Sequence, residues 1–107
     1  MRYRVTLIDD AEKDIEDIYH YIAQRDSVKS ADRILEGLEQ CWARLTDMPE
    51  RGNLPRELLN LGVTEYRETH YKPYRIIYRI IGWDVVVYCV VDGRRDMQSF
   101  LERRNLR

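Results

Sequence analysis

Between Tyr74 and Asp96 the chain reads YRIIYRIIGWDVVVYCVVDGRRD, and no other stretch limits the possible folds as strongly. Two runs rich in β-branched and aromatic residues meet at Gly82-Trp83, which predicts paired strands joined by a tight turn. Arg75 and Arg79 interrupt the first run, and Arg94-Arg95 follows the second. Apolar strands need a packed sheet, whereas guanidinium groups need water or an anion. A sheet sealed on one face and basic on the other reconciles the two demands.

A chain of 107 residues holds one such sheet. The expectation is a single domain over residues 1–107, hiding about 65% of its extended-chain surface. Charge is divided unevenly along it. Residues 1–50 carry 7 basic and 12 acidic side chains, whereas residues 51–107 carry 11 and 7. An acidic helical side and a basic sheet side follow, so a polyanionic partner would meet the second half; the alternative is that the arginines pair with the chain's own carboxylates. The net charge of −1 argues against a general nucleic-acid coating protein.

No apolar run reaches the length of a membrane span, and Met1 to Arg4 leads into an alternating segment rather than a signal-peptide core. The reading is a soluble, cytoplasmic protein with no membrane contact. Cys41 and Cys89 stand among apolar neighbours with no metal-ligand spacing, so they are expected as buried free thiols, with no metal or cofactor.

Alternation of Tyr3, Val5 and Leu7 with Arg2, Arg4 and Thr6 predicts an opening strand. Asp9 or Asp10 then offers an N-cap, with Glu12 completing a capping box, for a helix over about Ala11–Arg25. Its stripe is Ala11, Ile15, Ile18, Tyr19 and Ile22. Ser27 caps a second helix that carries Ala31, Ile34, Leu35, Leu38, Trp42 and Leu45 and runs to Met48-Pro49. From Pro49 to Gly62 the chain reads as a loop with one helical turn near Glu57. Strands follow over Val63–His70, Tyr74–Ile81 and Val85–Val91, the last nearly all apolar and therefore central. Asp96 caps a short terminal helix. The fold class is α+β, β-α-α-β-β-β(-α), with a helical hairpin on one face of a small, mainly antiparallel sheet.

Alternation places Ile76, Tyr78 and Ile80 toward the helices, and Arg75, Ile77 and Arg79 on the opposite, uncovered face. Tyr66, Tyr71, Tyr74, Tyr78 and Tyr88 suggest base stacking, but sheet packing accounts for most of them.

The segments from Arg67-Glu68 to Ile80 and from Val86 to Asp96, following a strand and a helical hairpin, resemble the RelE/ParE superfamily of bacterial toxins. The resemblance implies the toxin of a type II toxin-antitoxin pair, associated with plasmid stabilization. A cognate antitoxin would hold it inactive, and operator DNA would be met only through that antitoxin. RelE-like members cut messenger RNA on the ribosome; ParE-like members inhibit DNA gyrase and lack the cleavage set.

For cleavage, the candidates are Arg67, Arg75 and Arg94 or Arg95 as phosphate clamps, with His70, Glu57 or Glu68 for proton transfer. The family's terminal tyrosine or histidine falls near Phe100-Leu101, where neither side chain moves a proton. That departure favours the ParE branch, in which Arg67, Arg75, Arg79, Arg94 and Arg95 contact gyrase or the antitoxin. In that branch Arg67-Glu68 is partly a cross-strand ion pair. A non-toxic module that only binds antitoxin as a co-repressor needs no catalytic group.

Overall fold

The computed structural model describes residues 2–106. Strand β1 (Arg4–Leu7) leads into helices α1 (Asp9–Arg25) and α2 (Val28–Ala43). Two single 3-10 turns, Arg44–Thr46 and Pro49–Arg51, then lead to a one-turn helix α3 (Arg56–Leu59). Strands β2 (Tyr66–Tyr71), β3 (Tyr74–Ile81) and β4 (Asp84–Asp92) precede helix α4 (Met97–Arg103). The sheet order is β1-β4-β3-β2, with an antiparallel β2-β3-β4 meander and β1 parallel to β4. The apolar strand β4 is internal, as its composition predicts.

Local chemistry explains most boundaries. Ser27 accepts a hydrogen bond from the Ser30 N–H at 3.0 Å and starts α2. Asp96 does the same for the Ser99 N–H at 3.2 Å and starts α4. Gly82, at φ +60°, supplies the left-handed backbone that the first position of the β3–β4 turn requires. Helix α1 departs from expectation: it begins at Asp9 with Ile8 as N-cap, and no capping box forms. Asp9, Asp10 and Glu12 still face the positive end of the helix dipole. Helix α2 stops at Ala43 rather than at Met48-Pro49. The strand expected from Val63 begins only at Tyr66, because the preceding residues fold back around Leu58 and Gly62.

The helical hairpin covers one face of the sheet, packing Ala11, Leu38, Cys41 and Leu45 on Ile76, Tyr78, Val85, Val87 and Val90. The expectation of a bare opposite face is corrected. Leu58 of α3 and Met97, Phe100 and Leu101 of α4 bury Ile77, Cys89 and Val91 there. After α4, Asn105 adopts φ 59°, and the Leu106 N–H bonds the Leu101 carbonyl at 3.2 Å. This Schellman-type ending folds Leu106 back into the same cluster. The face splits into two halves, because α4 stops short of the β1 end.

A bulge in β4 shapes the margin between these layers. Ile77 pairs with Cys89 while Tyr78 pairs with Val87, leaving Tyr88 as the extra residue. Beyond Val87, where pairing with β1 ends, the β4 edge presents unpaired backbone. Asp14 of α1 accepts from the Val90 N–H at 3.0 Å, and Arg104 donates to the Tyr88 carbonyl at 3.2 Å. Asp14 and Arg104 also pair with each other, joining the two helical layers across the sheet edge. Burial raises the Asp14 carboxyl above its ordinary range, although the Val90 N–H and Arg104 pull against that rise.

Candidate functional site

The arginines expected to line one surface do not converge. Arg75, on β3, projects toward α3 and is largely enclosed. Its Nε donates to Glu68 Oε1 at 2.6 Å, and its two terminal nitrogens donate to Glu57 at 2.8 and 3.0 Å. Asn53 donates to the other Glu68 oxygen at 2.8 Å. Glu68 is only 4% exposed, so Arg75 offsets the cost of burying that carboxylate. The guanidinium also holds the Glu57 carboxyl below the usual range, while the two carboxylates raise the Arg75 guanidinium above its own. The solvent-facing role expected of Arg75 is therefore corrected. A phosphate would have to displace two carboxylates already in place.

His70 lies at the rim of this cluster, Nε2 3.6 Å from Glu68 Oε1. Glu57 and Glu68, the candidate bases, are spent on Arg75. At the position of the terminal proton donor, Phe100 and Leu101 are buried in the core beneath α4. The structure thus brings Arg75, Glu57, Glu68 and His70 together, but with the one guanidinium already shared between two carboxylates.

The remaining candidates scatter. Arg67 points to the other side of β2 and donates to the Glu50 and Gly52 carbonyls at 3.2 and 2.9 Å. It makes no pair with Glu68, because adjacent strand residues face opposite ways. Arg94 turns back onto Asp92, with nitrogen–oxygen distances of 3.0 and 2.6 Å, and depresses that carboxyl. Arg95 stacks on Phe100, 4.9 Å from the ring centroid. Arg79 alone among the strand arginines has neither a carboxylate nor a carbonyl partner among the described residues. Its neighbour across β2 is Tyr66, which is stacked edge-on against Tyr88 at 5.3 Å.

The other aromatic and thiol side chains are structural. Tyr78 is fully buried, and its hydroxyl donates to the Pro49 carbonyl at 2.5 Å. Tyr71 lies across α2 at Gly37, where an added Cβ would sit 2.2 Å from the ring. Cys41 and Cys89 are buried and free, and burial pushes the Cys89 thiol up to about 12. Among the described residues no group of three His, Cys, Asp or Glu side chains is placed to hold a metal ion, and no helix is long and apolar enough to cross a membrane.

Sequence reasoning missed the Asp14–Arg104 pair and the role of Asn53. No local signal links Asp14 with Arg104, which are 90 positions apart. Glu57, weighed only as a base, is the partner of Arg75.

Comparison with known proteins agrees with this architecture. The family described as "ParE toxin of type II toxin-antitoxin system, parDE" matches residues 5–97. Toxin ParE3 of Caulobacter vibrioides is 29% identical over 91 residues, covering 85% of this chain and 87% of that protein. The chromosomal ParDE toxin-antitoxin system of P. aeruginosa contains a chain with TM-score 0.72 and 15% identity, covering 84% of this chain and 95% of that one. The RelBE2 toxin-antitoxin complex of Mycobacterium tuberculosis gives TM-score 0.62 and 23% identity, covering 86% and 99%. At these identities the two structures speak for the fold. The match through both strands of the YRIIYRI–VVVYCVV block and the helical hairpin before it means that this chain belongs to the ParE toxin family of type II toxin-antitoxin systems, within the RelE/ParE superfamily.

Proposed function

We propose that the protein arrests growth by binding DNA gyrase in the cytoplasm and is neutralised by a cognate antitoxin. It acts as a binding poison and not as a nuclease. One observation carries the choice between branches: the strand arginine available to clamp a scissile phosphate is held by Glu57 and Glu68. RNA cleavage needs an unoccupied cationic clamp and a proton-transfer group on either side of the phosphate. Neither Phe100 nor Leu101 supplies the latter. A poison that works by occupancy requires only a stable surface.

The test is to incubate purified protein separately with gyrase on plasmid DNA and with ribosomes programmed with messenger RNA. Loss of supercoiling with intact messenger is the expected result. Ribosome-dependent cleavage with unaffected gyrase would move the protein to the RelE branch. Absence of growth arrest on induction would instead favour a non-toxic antitoxin-binding module. Relief of arrest by the product of an adjacent gene tests neutralisation.

A further inference from the structure

The half of the sheet face that α4 leaves uncovered carries a row crossing all four strands. Tyr66 pairs with Arg79, Arg79 with Val86, and Val86 with Thr6. Beside it, Ile81 is 46% exposed. A shallow depression of about 360 Å3 lies between β1 and the ends of β3 and β4, floored by Thr6, Ile81 and Val86. Arg4 and Asp84 close its rim and neutralise each other at 2.9 Å.

Arg79 stands out against the other strand arginines. Arg4 has Asp84, Arg75 has Glu57 and Glu68, and Arg67 has two backbone carbonyls. Arg79 lies on an inner strand, partly buried between Val86 and Tyr66, whose hydroxyl it meets, with no carboxylate partner among the described residues. A half-desolvated guanidinium set among aromatic and aliphatic side chains is complementary to a carboxylate flanked by apolar groups. Tyrosine and arginine are also the side chains that most often dominate protein interfaces.

We infer that this row is the surface that engages the target, with Arg79 receiving an acidic side chain of gyrase and Val86, Ile81 and Tyr66 packing against its apolar flanks. The inference rests on the functional reading above and names its contact surface. Charge sets the direction of the effects, because Thr6, two strands from Arg79 in the same row, stands about 10 Å from the incoming carboxylate, close enough to act on it through space.

The experiment measures the protein concentration that half-inhibits supercoiling by gyrase for wild type, Arg79→Gln, Thr6→Glu and Thr6→Lys, with thermal unfolding recorded for each. Arg79→Gln should raise the half-inhibitory concentration about tenfold or more, with the melting transition unchanged. Thr6→Glu should weaken inhibition relative to Thr6→Lys by about threefold, a sign difference that a purely structural role would not produce. The exposed Thr6 pair keeps the test decisive if Arg79→Gln fails to fold. Equal inhibition by all four proteins overturns the surface assignment and leaves the gyrase reading intact. Failure of wild type itself to inhibit removes both. If Arg79→Gln still inhibits but escapes the antitoxin, or if it dissociates a wild-type dimer, the occupant is another chain and the assignment is wrong.

Discussion

Arg75 and Arg79 lie one helical turn's worth of sequence apart on one strand, on the same face, yet they occupy opposite physical situations. At the covered end, α3, α4 and the 49–57 loop close over the sheet, and Arg75 is held by two carboxylates, one of them 4% exposed. At the open end Arg79 has Tyr66 and Val86 as its cross-strand neighbours and no carboxylate partner among the described residues. The contrast teaches that strand alternation assigns a side chain to a face but says nothing of what lies above that face. One arginine has become a structural element. The other remains available to a partner.

The largest predicted effect breaks the covered end. Arg75→Ala leaves Glu68 and Glu57 without their cation, and urea unfolding should show a loss of about 3 kcal/mol or more. A loss of toxicity in that variant would report on folding rather than on contact with a target. If stability is unchanged, the ion-pair cluster is not what holds this end closed.

Gly52→Ala should follow. An added Cβ would lie 2.1 Å from the Tyr78 hydroxyl and 2.7 Å from the Glu68 carbonyl. The loop that supports Glu57 must shift, at a cost of about 1–3 kcal/mol, visible as a lower melting temperature. A fully stable variant would show that this loop does not seat on β2.

Acidification separates the ends more gently. The carboxyl of Glu57 is depressed below its ordinary value of 4.5, chiefly by its hydrogen bonds to Arg75. Its contribution is therefore complete above that value and is lost as pH falls through the lower native one. Asp14 is raised by burial and acts with the opposite sign, gaining as it protonates. Glu57→Gln should flatten the acid limb of stability against pH, measured by urea midpoints from neutrality downward. An identical limb in both proteins would assign acid sensitivity elsewhere.

The smallest effect sharpens the open end: Arg79→Gln should change unfolding free energy by no more than about 1 kcal/mol, because the change leaves no buried carboxylate unpaired. A large loss would reveal an intramolecular role for Arg79 and remove the contrast with Arg75.

Much of this was legible in the chain. The alternation of Tyr74–Ile81 assigned the correct faces, and Ser27 and Asp96 were readable as caps. Met97, Phe100 and Leu101 already form an i, i+3, i+4 stripe that requires something to bury. Reading that segment only as a short helix capped by Asp96 left the sheet's second face open by mistake. The β4 bulge and the Asp14–Arg104 pair had no comparable signal, because the first is set by the β3–β4 register and the second by where β1 ends against β4.

Composition and periodicity alone determined the strands, the helical hairpin, the inner place of β4 and the fate of both cysteines, since each depends on how apolar residues repeat along a few turns or pleats. Tertiary structure decided which arginines are free. An ion pair depends on the few ångströms between groups that the chain brings together from afar, as Glu57 and Arg75 are from 18 positions apart. That proximity exists only once the layers have packed.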